Sequence, residues 1–315
     1  MPITTLMIDA SSLRHSACIM AFYNTVVRGA RSPVNSSDIE FGSAFHIGKK
    51  VFAETGDEDM AIGRAVKYFN TTPMYVKPKK TWLDVGYLTS TIQSHNAQYA
   101  IDEYEIVRDP HTGQPLVEQR FAYPYKVYPD YNIEVLLCGT IDEICRNTIA
   151  DFYAIKDYKT TSTWDRSGYL NSYVLSCQLM FYKYALESYA RIFPDSIIGK
   201  VAGRPIGAFI DGIFLSATKG STFERSNVFF YPADQMEEFE KGLAAAIERL
   251  VEVVAGKQGL FREGMMNGSC EKVYGPCTYF KVCSEPMQEM RESAIANEFM
   301  CVPYNPLTHG AEEKV

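Results

Sequence analysis

Asp157 and Lys159 stand two residues apart in Asp151 to Lys159, a segment whose Tyr153, Ile155 and Tyr158 give it strand character. On an extended backbone residues i and i+2 share a face, so a carboxylate and an ammonium project side by side. Asp142 closes Gly139-Thr140-Ile141-Asp142 within an earlier apolar run, Ile133 to Ile144. If the two runs pair as a hairpin across Arg146-Asn147-Thr148, the carboxylates of Asp142 and Asp157 converge. Two such carboxylates can hold Mg²⁺ or Mn²⁺ against a phosphate, and an adjacent amine can stabilise the negative charge that develops there.

A D-x-K tripeptide is commonly no more than a solvated strand face of alternating charge. The surroundings change that reading. Asp142 follows Val135-Leu136-Leu137-Cys138-Gly139-Thr140-Ile141, where an uncompensated carboxylate costs several kcal/mol, so a cation or hydrogen-bond donors must meet it. Gln178 and Tyr182 come next, four residues apart, on a predicted helix from Ser172 to about Ala190 with Asn171 or Ser172 as cap and Leu175, Leu179, Tyr182 and Leu186 at helical spacing. The pair shares one side of that helix.

In this order the residues resemble the PD-(D/E)XK nuclease superfamily, and specifically its RecB-like branch: a strand Asp, a following (D/E)-x-K, then a helical Gln and Tyr. Phe41-Gly42-Ser43-Ala44-Phe45-His46 is similar to the Gly-x-x-x-His helix of that branch, whose His joins the metal shell. Glu118 resembles loosely an acidic strand position of some relatives and is expected as a supporting group. The resemblance implies an α/β, restriction-endonuclease-like mixed central sheet flanked by helices. It implies Mg²⁺ or Mn²⁺ on His46, Asp142, Asp157 and the Tyr158 carbonyl, with Lys159, Gln178 and Tyr182 completing the catalytic set. Gln178 and Tyr182 would orient the lysine or a phosphate oxygen. The implied activity is exonuclease cleavage of DNA, single-stranded or at ends, in recombination, repair, replication or processing, beside recombination or replication proteins.

Cysteine placement extends the resemblance. Cys18 stands alone near the N-terminus, while Cys270, Cys277 and Cys283 cluster in Cys270-Glu271-Lys272-Val273-Tyr274-Gly275-Pro276-Cys277-Thr278-Tyr279-Phe280-Lys281-Val282-Cys283. One N-terminal and three C-terminal cysteines hold a 4Fe-4S cluster in RecB-like nucleases of the AddB and CRISPR-associated exonuclease types, and this chain is similar. The first spacing here exceeds the C-x-x-C of many relatives, which leaves Zn²⁺ open, since four thiolates suit either. Either would close a loop of nearly the whole chain and staple the N- and C-terminal segments together. Disulfides are the competing use of eight cysteines. The first residues lack the basic start and apolar core of an export signal, so a reducing, cytoplasmic setting is expected. Cys138 and Cys177, in apolar segments, are expected to pack as small hydrophobes, and Cys145 and Cys301 carry no assigned chemistry.

Lys and Arg total 31 against 38 Asp and Glu, an acidic balance that runs against general nucleic-acid binding and leaves local patches to do that work. Lys77-Pro78-Lys79-Lys80-Thr81-Trp82 reads first as a solvated loop. Thr160-Thr161-Ser162-Thr163-Trp164-Asp165-Arg166, just past the acidic pair, is the better source of phosphate contacts. No apolar run reaches the ~20 residues of a membrane helix, and no G-x-x-x-x-G-K-[ST] loop marks a helicase.

No linker or repeat divides the 315 residues. One domain over 1–302 is expected, with a helical N-terminal region over 1–100, a nuclease core over 114–256, a cysteine segment over 257–290 and a frayed tail over 303–315. Predicted helices cover Asp9 to Val27, Phe41 to Glu54, Asp59 to Phe69, Leu83 to Ala100 and Pro232 to Gly256, the last with a stripe of Met236, Phe239, Leu243, Ile247, Leu250 and Val254. Predicted strands cover Leu116 to Val127, Ile133 to Ile144 and Ala150 to Lys159, then a hairpin of Gly207 to Ala217 and Thr222 to Tyr231 turning at Lys219-Gly220-Ser221. Two other readings stand beside the nuclease: a catalytically silent DNA-binding or assembly module of the same fold, and a zinc-stabilised hydrolase of other phosphodiesters.

Overall fold

A computed structural model describes residues 3–272 and 275–307. Among these, seven strands form a mixed sheet: β1 (Thr4–Ile8), β2 (Tyr104–Ile106), β3 (Val117–Tyr128), β4 (Ile133–Asn147), β5 (Phe152–Thr161), β6 (Ile206–Phe214) and β7 (Thr222–Arg225). The order is β1-β4-β5-β6-β7, with β2 and β3 also paired to β4. β1 runs parallel to β4, β5 parallel to β6, and the β4–β5 and β6–β7 pairs are antiparallel. The α/β class with a central mixed sheet and flanking helices therefore holds. By contact density the chain divides into two compact units, each built from separated stretches.

The larger unit comprises chiefly Asn35–Phe121 and Gly139–Met236. Its β6 is buried at every position, as a strand covered on both faces must be. One cover is α3 (Ser37–Thr55), α4 (Glu58–Thr71) and α5 (Val85–Gln98). Phe41, Ala44, Phe45 and Gly48 recur at i, i+3, i+4 and i+7 along α3 and form its buried face. Phe41 and Phe45 share a core with Leu88 and Ile92 of α5 and with Tyr158 and Ile213 of the sheet. Burial of each such side chain stabilises the fold by about 1.5–3 kcal/mol. α3 ends where Gly56 takes a left-handed conformation and returns its N–H to Phe52 O.

Between the parallel strands β5 and β6 lie α6 (Arg166–Asn171), α7 (Cys177–Ile192) and α8 (Ile197–Ala202). The sequence predicts one helix from Ser172; instead Asp165 caps α6, and α7 starts after Ser176, whose Oγ accepts from Leu179 N. Capping oxygens at both positions make two starts more favourable than one long helix through Tyr173-Val174-Leu175. Leu175, expected in the apolar stripe, is consequently 71 % exposed, while Leu179, Tyr182 and Leu186 are buried. The β4–β5 turn is also displaced, to 148–151, because Asn147 pairs with Phe152 and its Oδ1 accepts from Ile149 N and Ala150 N. Asp151 completes that turn at φ 52°. The β6–β7 turn falls where expected, with Gly220 at φ 70°, but β7 ends at Arg225 rather than Tyr231.

The smaller unit gathers the chain up to Val34, Ala122–Cys138 and Glu237–Pro306. The predicted helix Asp9 to Val27 is broken into α1 (Ala10–His15), α2 (Ile19–Phe22) and a wide turn, Tyr23–Val27. Asp9 caps α1 in a reciprocal box with Ser12. The break leaves Cys18 extended at φ −144°, at the start of α2. β1 was not foreseen, although Leu6 and Ile8 alternate inward as a strand requires. α9 (Ala233–Val254) follows its predicted range, and Leu243, Ile247 and Leu250 are buried.

The ends of this unit are tied by hydrogen bonds, an ion pair and an apolar cluster in which Ala21 and Ala30 pack with Tyr279, Val282 and Ile295. Glu263 accepts from Ile19 N, Tyr279 donates to Ala30 O, Arg28 pairs with Glu292 at 2.6 Å, and Ala30–Arg31 forms a short antiparallel pair with Met300–Cys301. α10 (Gly264–Asn267), α11 (Phe280–Ser284) and α12 (Gln288–Glu298) complete it. The expected tail from Pro303 is not frayed at its start, since Tyr304 donates to Asp9 Oδ1 at 2.6 Å; the remainder, 308–315, lies outside the described residues. Val273 and Tyr274 of the cysteine segment also lie outside them.

Candidate functional site

The larger unit brings the predicted acidic residues together on one side of β5. Alternation on β5 sends Asp157 and Lys159 one way and Lys156 and Tyr158 the other, and on β4 it separates Asp142 from Glu143 in the same manner. Asp142 Oδ2 accepts from Tyr158 N at 2.8 Å, which anchors the β4 carboxylate to the β5 backbone between Asp157 and Lys159. Lys159 Nζ pairs with Asp157 Oδ2, an atom with no other partner among the described residues. Asp157 Oδ1 accepts from Gln178 Nε2 at 3.0 Å, and the same amide reaches Tyr182 Oη at 3.0 Å.

α3 delivers His46. The helix approaches β5 so closely that a Cβ on Gly42 would lie 2.9 Å from Thr160 Oγ1, which is why a residue without one stands there. His46 Nε2 lies 3.2 Å from Tyr158 O. A carbonyl only accepts, so Nε2 carries the proton and Nδ1 is left facing Asp142 Oδ2 at 3.5 Å and Glu118 Oε1 at 3.7 Å. Ligand atoms of His46, Glu118 and Asp142 all lie within 4.8 Å of one another. Glu118, expected only as a supporting group, is thus a full member of the cluster. It reaches there from a left-handed backbone at φ 47°, a strained conformation for a residue with a Cβ.

Burial dominates the electrostatics of the centre. Burial raises Asp142, against the pull of His46 and Lys159; burial likewise raises Asp157, against Lys159. Burial opposes charge on His46, yet Asp142 and Glu118 outweigh it and push the imidazole up to about 9. Two carboxylates and one imidazole with ligand atoms within 4.8 Å of one another, beside the buried carboxylate of Asp157, are a donor set that fits Mg²⁺ or Mn²⁺.

The opposite face of β5 carries a second set of charges. Glu143 accepts from Lys156 Nζ at 2.7 Å and from Tyr158 Oη at 2.8 Å. Farther along, Asp211 on β6 accepts from His95 Nε2 at 3.2 Å and from Arg225 Nε at 3.1 Å, and Arg225 forks onto Asp102.

Of the predicted residues, His46, Asp142, Asp157, Lys159, Gln178 and Tyr182 meet as one site. Two contacts bear on the expected roles. Gln178 holds Asp157, not Lys159, because the amide N–H needs an acceptor and the carboxylate supplies it. The Tyr158 carbonyl, expected as a ligand, accepts from His46. Sequence reasoning missed the buried Glu143 and Lys156, whose signal was their place beside Asp142 and Asp157. In the Lys77 to Trp82 stretch, Lys77 and Lys80 pair with Asp38 at 2.7 and 3.1 Å.

In the smaller unit Cys18, Cys270, Cys277 and Cys283 line one cavity of about 50 Å³ with Arg14, His15 and Arg262. Burial raises the Cys283 thiol to about 11, and the neighbouring Cys18, Cys277 and Cys270 add to that against the pull of Arg262. A Cys277 N to Cys270 O bond of 2.9 Å and an Arg262 to Cys283 O bond of 2.6 Å fold the loop around the cavity. Cys138 and Cys145 are buried, whereas Cys177, expected to pack as a core hydrophobe, is only half-buried at the first turn of α7.

No family model matches the chain, and no curated protein does. Among the described residues no helix is long and apolar enough to cross a membrane. Among solved structures, a candidate exonuclease from Eubacterium rectale is similar over 91 % of this chain and 93 % of its own, with 13 % identity and a TM-score of 0.47.

Proposed function

We propose that the chain is a metal-dependent DNA nuclease of the PD-(D/E)XK, RecB-like type. The observation that carries this reading is the convergence of His46, Glu118 and Asp142 within 4.8 Å, together with the buried Asp157–Lys159 pair on the adjoining strand. Bound Mg²⁺ or Mn²⁺ would polarise a scissile phosphate and lower the pKa of an attacking water. Asp142, Asp157, Glu118 and His46 Nδ1 are the residues that would hold it. Tyr158 orients two of them, one through its N–H and one through its carbonyl. Lys159 stabilises negative charge developing on the phosphate and helps position the water, while Gln178 keeps Asp157 turned toward the gap.

The cavity of Cys18, Cys270, Cys277 and Cys283 is assigned to a structural 4Fe-4S cluster in the same reading. What supports it is that the four cysteines line one cavity.

Full-length protein purified without oxygen, assayed on end-labelled DNA, tests the nuclease and the cluster together. Cleavage with Mg²⁺ or Mn²⁺, none in EDTA and none from Asp157→Asn is the expected result. Metal-independent cleavage, or wild-type rates from Lys159→Ala, would overturn it. Iron with sulfide supports the cluster; one zinc per colourless chain replaces it.

A further inference from the structure

Trp164 is 77 % exposed, a poor place for the largest apolar side chain if folding were its only purpose. It belongs to the loop that leaves β5, five residues past Lys159, so the two Cα atoms lie within about 18 Å. Lys219, in the β6–β7 connection, sets its ammonium 5.5 Å from the indole centre. Nearby on the same loop Ser162 Oγ accepts from Lys80 Nζ at 2.9 Å, and Arg166 stacks over Phe214 at 5.4 Å. Cations therefore border the loop from three chain segments, Lys80 being shared with Asp38 at 3.1 Å, in a protein whose overall balance is acidic.

We propose that Trp164 is a stacking platform for an unpaired base, with Lys219 and Lys80 taking the flanking phosphates, so that the substrate is a single strand or a frayed end. The inference rests on the nuclease reading and specifies its substrate. A ring open on its surface offers a π-face to any base, which gives affinity without sequence preference. A base within duplex DNA is already stacked on both sides and cannot use it. The lysines add a salt-dependent attraction for the backbone.

The chain holds two tryptophans, and Trp82→Phe leaves Trp164 as sole reporter. Full-length Trp82→Phe protein in EDTA is titrated with oligothymidylate, with blunt duplex DNA and with inorganic polyphosphate, following indole emission. Quenching by oligothymidylate at lower concentration than by duplex, and none by polyphosphate, is expected. By anisotropy with labelled oligothymidylate, Trp164→Ala should bind about 10-fold more weakly, and Trp164→Phe should recover most of that loss. Because the side chain is exposed, neither change threatens the fold. Equal affinity of Trp164→Ala and wild type, or equal quenching by duplex, overturns the platform. Strand binding in EDTA without any metal-dependent cleavage would instead remove the nuclease and leave the platform. Metal-dependent cleavage by Trp164→Ala with an unchanged KM for single strands does the reverse.

Discussion

The two faces of β5 carry nearly the same functional groups and use them in opposite ways. On one, Glu143, Lys156 and Tyr158 close on each other, and Asp211, His95, Arg225 and Asp102 do likewise, so that the buried carboxylates of Glu143 and Asp211 each have at least two partners. On the other, Asp157 is held by Gln178 and Lys159, but His46 Nδ1 stands 3.5 and 3.7 Å from Asp142 and Glu118, longer than hydrogen bonds, with all three ligand atoms within 4.8 Å of one another. A closed set stabilises one conformation and has no capacity left for a ligand. An open set costs stability and can bind a cation. Side-chain chemistry alone does not distinguish structural from functional charge; completeness of pairing does.

The comparison breaks most visibly in activity. Asp142→Asn on the open face should lower cleavage about a thousandfold with the far-UV dichroism unchanged; retained cleavage would return the centre to an ordinary acidic cluster. On the closed face the cost should appear in stability instead. Glu143→Ala strands the Lys156 ammonium in the core, and urea unfolding should show a loss of about 3–5 kcal/mol, most of it recovered in Glu143→Leu/Lys156→Met. If the double variant is as unstable as the single one, the closed set does more than neutralise itself.

Metal sharpens the contrast at a smaller scale. Mn²⁺ at about 100 times its dissociation constant should stabilise wild type by about 2.7 kcal/mol in thermal unfolding, and Glu118→Gln or His46→Ala should forfeit most of the gain while Glu143→Ala keeps it. Acid tests the closed face alone. Burial, outweighing the hydrogen bond to Asp211, pushes His95 down to about 4 from 6.5, so below pH 6.5 the unfolded chain takes up a proton that the folded imidazole refuses. Stability should therefore fall as pH drops from 6.5 toward 4. Asp211, which burial would raise but His95 and the nearby cations lower to about 2, adds a second loss as pH falls below 3.8. His95→Gln should flatten the first decline in urea titrations at successive pH values and, because His95 is the chief group lowering Asp211, shrink the second as well.

Much of the face that carries Asp157 was legible because it rests on short-range periodicity. A two-residue spacing on a strand and a four-residue spacing on a helix fix which side chains share a side, and Asp157 with Lys159, and Gln178 with Tyr182, obeyed both. What escaped depends on long-range pairing. β1 is five residues whose partner lies well over a hundred positions away, at Ile133 to Leu137. The break in the first predicted helix follows from Cys18 adopting an extended backbone at the cavity wall, which no local apolar pattern records. Glu118 was undervalued for a related reason. Its carboxylate reaches His46 only through a left-handed φ, and a strand pattern assumes the ordinary one.

The smaller unit has a bearing on how the chain is made. Its stretches reach from the first residues to Pro306, with Asn35–Phe121 intervening before the second and Gly139–Met236 before the third. A ribosome adding about 5–20 residues per second needs on the order of 15–60 s to deliver the last of them, and throughout that time α1, α2 and β1 have emerged without most of the chain they fold against. Those early segments must wait, shielded or unstructured, so protein truncated before α12 should be a substrate for chaperones and proteases rather than a smaller working molecule.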